Sequence, residues 1–107
     1  MRGRPAHFSM ALATSSDLGA RQTTVRRVLD ALNLDALIVT APSNIRYLSN
    51  HAGSAGILVV TRDAMHLLID FRYEEAMRQL QASPLTCPTL KTWTVGGSYG
   101  EGLLDCL

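Results

Sequence analysis

Apolar residues recur at helical spacing in the first third of the chain. Valine or leucine occupies positions 25, 28, 29 and 32, while charged residues occupy positions 26, 27 and 30. This i, i+3, i+4, i+7 spacing places the apolar side chains on one face of a helix. Ser15, Ser16 and Asp17 are candidate N-caps, and Asn33 is the predicted end. The pattern therefore predicts an amphipathic helix.

Two continuous apolar runs predict strands that are covered on both faces. The first run covers residues 35–40 and the second covers residues 57–61. Short apolar runs without alternation are typical of strands buried inside a sheet. Residues 65–69 follow the second run after Arg62 and Asp63, which predict a tight turn. These two segments should therefore pair as a hairpin.

Further elements are predicted around these strands. Ser43 is the expected cap of a short helix, and a third helix is expected over residues 72–81, with an apolar stripe at positions 73, 76, 77 and 80. Residues 90–95 alternate as a half-exposed strand does, and residues 103–104 suggest one more helix. Alternating helices and strands with one internal hairpin predict a three-layer α/β/α fold with a mixed sheet.

The domain organisation follows from the same pattern. Residues 1–16 have no periodicity and are expected to form a mobile N-terminal arm, and residues 17–107 are expected to form one domain. The last residues, 101–107, stop a few positions into a helical pattern. A final helix that short would lack part of its docking face. We therefore expect the domain to be truncated at its C-terminal end.

Composition narrows the class of protein. The 107 residues are 47% hydrophobic and 18% charged, with a formal net charge of +1. This balance argues against a nucleic-acid partner, and the longest apolar run is too short for a membrane span. Cys87 and Cys106 form no CxxC pair and are expected to be free, semi-buried thiols. The N-terminus only loosely imitates a signal peptide, so a cytoplasmic location is expected.

The chain contains no recognisable catalytic or metal site. His7, His51 and His66 are far apart in sequence, and no HxxxH or carboxylate-rich loop is present. Ser54 lies between two glycines, but the spacing and the strand that follows do not fit a nucleophile elbow. Gly53 and Gly56 instead favour tight turns of the backbone. The chain is therefore not expected to be an enzyme on its own.

An acidic residue, an arginine and a tyrosine stand where the third helix begins. Asp70 can cap this helix by accepting hydrogen bonds from its first amides. Tyr73 can pack its ring inward while its hydroxyl finds a polar partner. A structural role is favoured for this group, which includes Arg72.

Four segments together resemble the N-terminal domain of the creatinase, prolidase and aminopeptidase P superfamily. They are residues 34–40, 44–49, 53–60 and 70–76, and a helix precedes the first. The resemblance implies a ribonuclease H-like mixed sheet flanked by helices. The structural motif residues that carry it are Asn44, Tyr47, Gly53, Gly56, Asp70, Arg72 and Tyr73.

The resemblance also implies a catalytic domain downstream of Leu107. In this superfamily that domain holds two divalent metal ions, here expected to be Mn, Co or Zn, through two Asp, one His and two Glu. The reaction is hydrolysis of the bond before proline in short peptides, as in Xaa-Pro dipeptidases and aminopeptidases. Creatinase uses the same fold on a different substrate, so the substrate stays open at this point.

The resemblance assigns the N-terminal domain a non-catalytic role. It organises a homodimer and places a loop, here residues 49–52, over the partner's active site. Asn50 and His51 stand where many relatives have Gly and an aromatic residue, so they are the expected substrate-gating residues. A titratable His51 could hydrogen-bond substrate, or it could be an ordinary exposed loop residue. A stand-alone binding module of the same fold and an unrelated small α/β regulatory domain remain alternatives.

Overall fold

The computed structural model describes residues 12–96 and 98–106. Helices and strands follow one another as the pattern predicts. In chain order they are α1 (Ser15–Ala31), β1 (Ala36–Val39), α2 (Pro42–Ser49), β2 (Ile57–Thr61), β3 (Met65–Ile69), a 3-10 turn (Phe71–Tyr73), α3 (Glu74–Gln81), β4 (Leu90–Thr94) and α4 (Tyr99–Cys106). Among these described residues, no helix combines the length and the apolar content that a membrane crossing requires.

The four strands form one mixed sheet in the order β1-β2-β3-β4. Strand β2 is antiparallel to both of its neighbours, and the predicted hairpin joins it to β3. Strand β4 runs parallel to β3, because α3 carries the chain back to the starting edge between them. The mixed α/β sheet predicted from the sequence is confirmed.

Helices cover both faces of the sheet. Met65, Leu67 and Ile69 of β3 lie on one face and belong to the main core cluster, which α1, α2 and α3 complete. His66 and Leu68 point to the opposite face, where α4 approaches closely: a Cβ at Gly102 would lie 3.3 Å from Leu68 Cδ2. The three-layer arrangement is thereby confirmed, with three helices on one side and α4 on the other.

The core centres on β2 and β3. Leu58, Val59 and Val60 are all inaccessible to solvent, which confirms that β2 is covered on both faces. Burying a side chain of this size stabilises the fold by roughly 1.5–3 kcal/mol. The same hydrophobic burial fixes the strand register, because a shift by one residue would exchange the two faces.

Strand β1 differs from the prediction. It was expected to be covered on both faces, but Leu37 is 38% exposed and Ile38 is 47% exposed. The reason is its position, because β1 lies at the edge of the sheet and pairs only with β2. A continuous apolar run therefore did not distinguish an edge strand from a central one.

The start of the domain also differs from the prediction. The N-cap of α1 is Thr14, and not Ser15, Ser16 or Asp17 as predicted. The Thr14 Oγ1 accepts a hydrogen bond from the Asp17 amide at 3.1 Å. Ala13 is buried and Ser15 and Ser16 belong to α1, so residues 13–16 are part of the domain and not of an arm. The rest of the expected arm, residues 1–11, lies outside the described residues. The predicted end at Asn33 is confirmed by its positive φ of 54°.

Two shorter helices begin differently from the prediction. Ala41 is the N-cap of α2 and Pro42 occupies its first turn, so Ser43 is not the cap. The third helix opens as a 3-10 turn before α3 begins at Glu74. Its buried stripe is narrower than expected, since Met77 is buried but Ala76 is exposed.

Candidate functional site

The segment between α2 and β2, residues 50–56, is pinned to the domain by Asn50. This residue ends α2 in the left-handed conformation, with φ at 67°, and is only 3% exposed. Asn tolerates that conformation better than most residues because its short amide can bond locally. Its Oδ1 accepts from the Ala13 amide at 2.9 Å, and its Nδ2 donates to the carbonyls of Ala13 and Leu85 at 2.8 and 3.3 Å.

His51 is buried directly beneath this loop. It is 3% exposed, and its Nε2 donates to the Ala55 carbonyl at 3.1 Å across the loop. Its ring meets the Tyr73 ring edge-on, with centroids 5.1 Å apart. The interpretation of His51 as an ordinary exposed loop residue is therefore wrong. The imidazole fills the inside of the loop because its hydrogen-bond partner and its aromatic partner are both there.

Gly53 and Gly56 let the loop close over His51. A Cβ at Gly53 would lie 2.6 Å from His51 Cε1 and 2.7 Å from Tyr73 Cε1, separations that side chains do not tolerate. Gly56 has a φ of 152°, which glycine adopts without strain, and a Cβ there would lie 3.3 Å from the Leu68 carbonyl oxygen. The positive φ of Gly56 fits the predicted turn, whereas Gly53 is required because no side chain fits between it and the rings of His51 and Tyr73.

Asp70 caps the turn that supports the loop from below. Its Oδ1 accepts from the Arg72 amide at 2.9 Å, which confirms the predicted cap. The Arg72 guanidinium also bonds both carboxylate oxygens, at 3.0 and 2.8 Å. This pairing lowers the pKa of Asp70 and raises the pKa of Arg72. The two parallel hydrogen bonds between Arg72 and Asp70 orient the turn. Because Arg72 is exposed, the ion pair contributes little to the free energy of unfolding.

Tyr73 connects this turn to the loop. Its ring packs against the main core, as predicted. Its hydroxyl lies 3.2 Å from Ser54 Oγ, and the Arg72 guanidinium lies 5.3 Å from its ring centroid. The loop is therefore held at its start by Asn50, at Ser54 by the Tyr73 hydroxyl and at Ala55 by the His51 ring.

Tyr47 and Asn44 lie on the exposed side of α2. Tyr47 is 55% exposed, and the guanidinium of Arg21 in α1 stacks 4.1 Å from its ring centroid. Arg21 Nη1 also donates to the Tyr47 carbonyl at 2.8 Å. Asn44 is exposed one turn before Tyr47. These two positions therefore present a polar and an aromatic group at the surface of α2.

A groove of about 430 Å³ lies between α1, α2 and the loop. Its walls combine two arginines, two serines, an aromatic ring and small residues. The lining residues are Ala13, Arg21, Pro42, Ser43, Arg46, Tyr47, Asn50, Ala52, Gly53 and Ser54. The site that the sequence placed at Asn50 and His51 is thus a loop with a groove against its outer side.

Comparison with known proteins shows the family to which this domain belongs. The family model described as the creatinase/prolidase N-terminal domain matches residues 21–98. This match covers most of the chain, including the loop and the capped turn. The chain belongs to the creatinase/prolidase N-terminal domain family.

Individual relatives of this creatinase/prolidase N-terminal domain agree with the assignment. An uncharacterised peptidase of Bacillus subtilis, YqhT, is 35% identical over 51 residues, which are 48% of this chain and 14% of that protein. The N-terminal domain of the Mycobacterium tuberculosis cytoplasmic peptidase PepQ superposes with a TM-score of 0.59 and 30% identity, covering 72% of this chain and 56% of that one. The Xaa-Pro dipeptidase of Bacillus anthracis has the same fold, with a TM-score of 0.71 and 18% identity, covering 83% and 23%.

The creatinase/prolidase N-terminal domain thus spans a small part of its longer relatives. It covers 14% of the Bacillus subtilis peptidase and 23% of the Bacillus anthracis dipeptidase. Within the described residues, no three His, Cys, Asp or Glu side chains lie close enough together to hold a metal ion. Both cysteines are free, and burial raises the pKa of the Cys87 thiol to about 11.

Sequence reasoning missed the arginines of the groove. Neither Arg21 nor Arg46 was singled out by the sequence analysis. Arg21 reaches Tyr47 from a helix 26 residues earlier in the chain. No local spacing encodes such a contact, although an arginine and an aromatic residue on neighbouring helices are a common stacking pair.

Proposed function

We propose that this chain is the non-catalytic N-terminal domain of a metal-dependent Xaa-Pro peptidase. In that protein it would organise a homodimer and restrict substrate access to the partner's active site. The observation that carries the proposal is the family match over residues 21–98. The name of the Bacillus anthracis dipeptidase, whose domain shares the fold, supports proline-containing peptides as the substrate class.

The gating role is supported by how the loop is built. Asn50 and His51 are buried, so they would act as positioning residues that fix the shape of the loop and would not touch the substrate. Ala52 and Ser54 are exposed and form its outer side. A loop that is pinned at both ends loses little entropy when it forms the wall of a neighbouring site. It would therefore exclude long peptides by its shape.

The chemistry of hydrolysis would come from the catalytic domain. Two divalent metal ions, Mn, Co or Zn, would be held there by two Asp, one His and two Glu, activating water and polarising the scissile carbonyl. The name of the Mycobacterium tuberculosis cytoplasmic peptidase PepQ supports a cytoplasmic location.

The reading frame beyond the Leu107 codon tests the catalytic part of the proposal. We expect an open frame of at least about 200 further codons, enough for another domain, with those five ligands spaced along it. A stop codon directly after Leu107 would contradict it, and the chain would then be a binding module.

An outward-facing loop substitution tests the gating part in the complete protein. Ala52→Trp places a bulky ring on the outer side of the loop, so we expect a raised KM for Xaa-Pro peptides with a smaller change in kcat. Ala82→Trp, at an exposed position at the end of α3, is the matched control and should leave KM unchanged. Equal KM values for both variants would contradict a gating loop, and a monomeric mass by light scattering would contradict the homodimer.

A further inference from the structure

One edge of the sheet is open at β1. Within the described residues, β1 pairs only with β2, so no strand lies along its other side. Sheet edges that stay unpaired are usually protected by a charged residue, a proline or a bulge. All residues of β1 (Ala36–Val39) are apolar, none is proline, and its register with β2 is continuous. This edge is therefore suited to pair with a further strand.

The hydrogen bonds of the sheet show which backbone groups face the open edge. The Thr61 amide donates to the Ala64 carbonyl at 2.9 Å, so the backbone of Thr61 faces β3. Because backbone direction alternates along an antiparallel strand, Val60 faces β1 and forms the hydrogen-bonded pair with Leu37. The amide and carbonyl of the next residue, Ile38, therefore point away from β2 and towards the open edge.

The side chains at this edge are apolar on both faces of the sheet. Leu37 and Ile38 point to opposite faces and are both partly exposed. Leu37 also borders a groove of about 380 Å³ between α1, β1 and α2, together with Val25, Val39 and Leu48. A strand that pairs here must therefore offer apolar side chains on both of its own faces. Strand β1 itself has this property.

The charge at the start of β1 favours a second copy of this chain as the partner. In an antiparallel pair with Ile38 opposite Ile38 of the second copy, Asp35 lies opposite Ala41. Ala41 is the N-cap of α2 and has no side-chain hydrogen bond to offer the helix. Asp35 is exposed and forms no ion pair among the described residues. Its carboxylate would therefore lie at an uncapped helix N-terminus, where the helix dipole stabilises a negative charge.

We propose that two copies of this chain pair through β1 across a two-fold axis at Ile38, which joins the two sheets into one. Leu37 of each copy lies opposite Val39 of the other and covers the groove beside it. Such a pair is at the small end of specific interfaces, so we expect a dissociation constant on the order of 10–100 μM. The proposal rests on the proposed function for the homodimer, whereas the surface is argued from the sheet alone.

Hydrogen exchange of single amides, followed by NMR, tests the pairing without a substitution. The Ile38 amide is free in one copy and bonded in a pair. Its exchange should therefore slow about fivefold between about 10 μM and about 1 mM chain. The Leu37 amide, which bonds to β2 in either state, is the internal control. Exchange of Ile38 that is fast at every concentration would overturn the proposal. Slow exchange at every concentration would also overturn it, because a segment of the same copy would then cover the edge.

Substitutions at the axis locate the contact in sedimentation equilibrium experiments. Ile38→Lys places two ammonium groups opposite each other, so this variant should be monomeric where the parent chain is a dimer. Leu104→Lys, the same change at an exposed leucine of α4, should leave the dimer unchanged. If Ile38→Lys loses the circular dichroism of the folded chain, Ile38→Thr takes its place and should weaken the dimer several-fold. A dimer that survives the Ile38 variants, or that Leu104→Lys weakens equally, would overturn the assignment.

Asp35 tests the register of the pair. Asp35→Asn should weaken the dimer about tenfold, because two helix N-termini each lose a stabilising charge. Asp63→Asn, at an exposed position of the hairpin turn, is the matched control and should have no effect. Equal dissociation constants for Asp35→Asn and the parent chain would overturn this register.

These experiments separate the pairing from the proposed function. They use this chain alone, and no hydrolysis is measured. A chain that stays monomeric overturns the pairing through β1, while a complete peptidase that dimerises through other surfaces would leave the proposed function standing. A missing catalytic domain would leave the exchange and sedimentation results unchanged.

Discussion

Gly53 is the position where the loop has no space for a side chain. A Cβ there would lie 2.6 Å from His51 Cε1 and 2.7 Å from Tyr73 Cε1. These separations are about 1 Å shorter than the roughly 3.5–4.0 Å at which carbon atoms normally pack. Both rings are held by their own contacts, so neither can retreat without breaking one. Gly53→Ala should therefore force the loop away from the domain.

The magnitude follows from two opposing effects. Overpacking at a filled site costs about 1–3 kcal/mol. Replacing glycine at a negative φ stabilises the native state by about 0.4–1 kcal/mol through the unfolded chain. The expected net loss is about 1–2 kcal/mol, which lowers the urea midpoint by on the order of 0.5–1 M.

Urea unfolding followed by circular dichroism measures this loss, with Gly96→Ala as the matched control. Gly96 has no atom within 4 Å of an added Cβ, so that variant should stay within about 0.5 kcal/mol of the parent. The cost of Gly53→Ala should also fall in a His51→Ala background, because two of the three close atoms are then absent. Equal shifts for the two glycine variants, or an undiminished cost without the imidazole, would refute the reasoning.

Three further predictions concern Asn50, His66 and Cys87. Asn50→Ala should cost about 2–4 kcal/mol in a thermal melt, because it leaves buried backbone groups of Ala13 and Leu85 unpaired, and Asn50→Gly, which keeps the left-handed turn, should lose nearly as much. His66 Nδ1 accepts from Trp93 Nε1 at 3.0 Å, and burial and then the Lys91 charge lower the pKa of His66. The folded chain then binds fewer protons than the unfolded one, so the free energy of unfolding should fall as the pH drops through about 6.5, and His66→Gln should flatten that dependence in urea titrations. Cys87, whose pKa is about 11, should resist iodoacetamide at pH 8 in the native chain and react in urea, as peptide mass spectrometry would report; fast native alkylation would contradict its burial.

The secondary structure could be predicted well from sequence because its signals are local. Hydrophobic periodicity and the turn at residues 62–63 encode the hairpin, and Asp70 was recognisable as a cap from its place before a helix. The resemblance of four ordered segments led to the correct family. The hairpin and the cap depend on neighbours within a few residues, so one sequence is enough to reveal them.

The candidate site depended on contacts between distant parts of the chain and was predicted less well. His51 is buried because Tyr73, 22 positions later, comes to lie against it, and Asn50 is buried because Ala13 reaches back to it. Polarity alone suggested an exposed loop. The edge position of β1 could not be predicted either, because whether a strand has one neighbour or two depends on the order of all strands in the sheet. The predictions for the loop and for β1 were therefore wrong because both depend on contacts between residues that are far apart in the sequence.

Hydrolysis by the complete gene product tests the proposed function most directly. The protein expressed from the full reading frame is incubated with Ala-Pro and with Ala-Ala, with and without a chelator of divalent metals. We predict cleavage of Ala-Pro far faster than of Ala-Ala, and loss of cleavage when the metal is removed. A full-length product that cleaves neither dipeptide, or cleaves both equally, would contradict the assignment of this domain to a proline-specific peptidase.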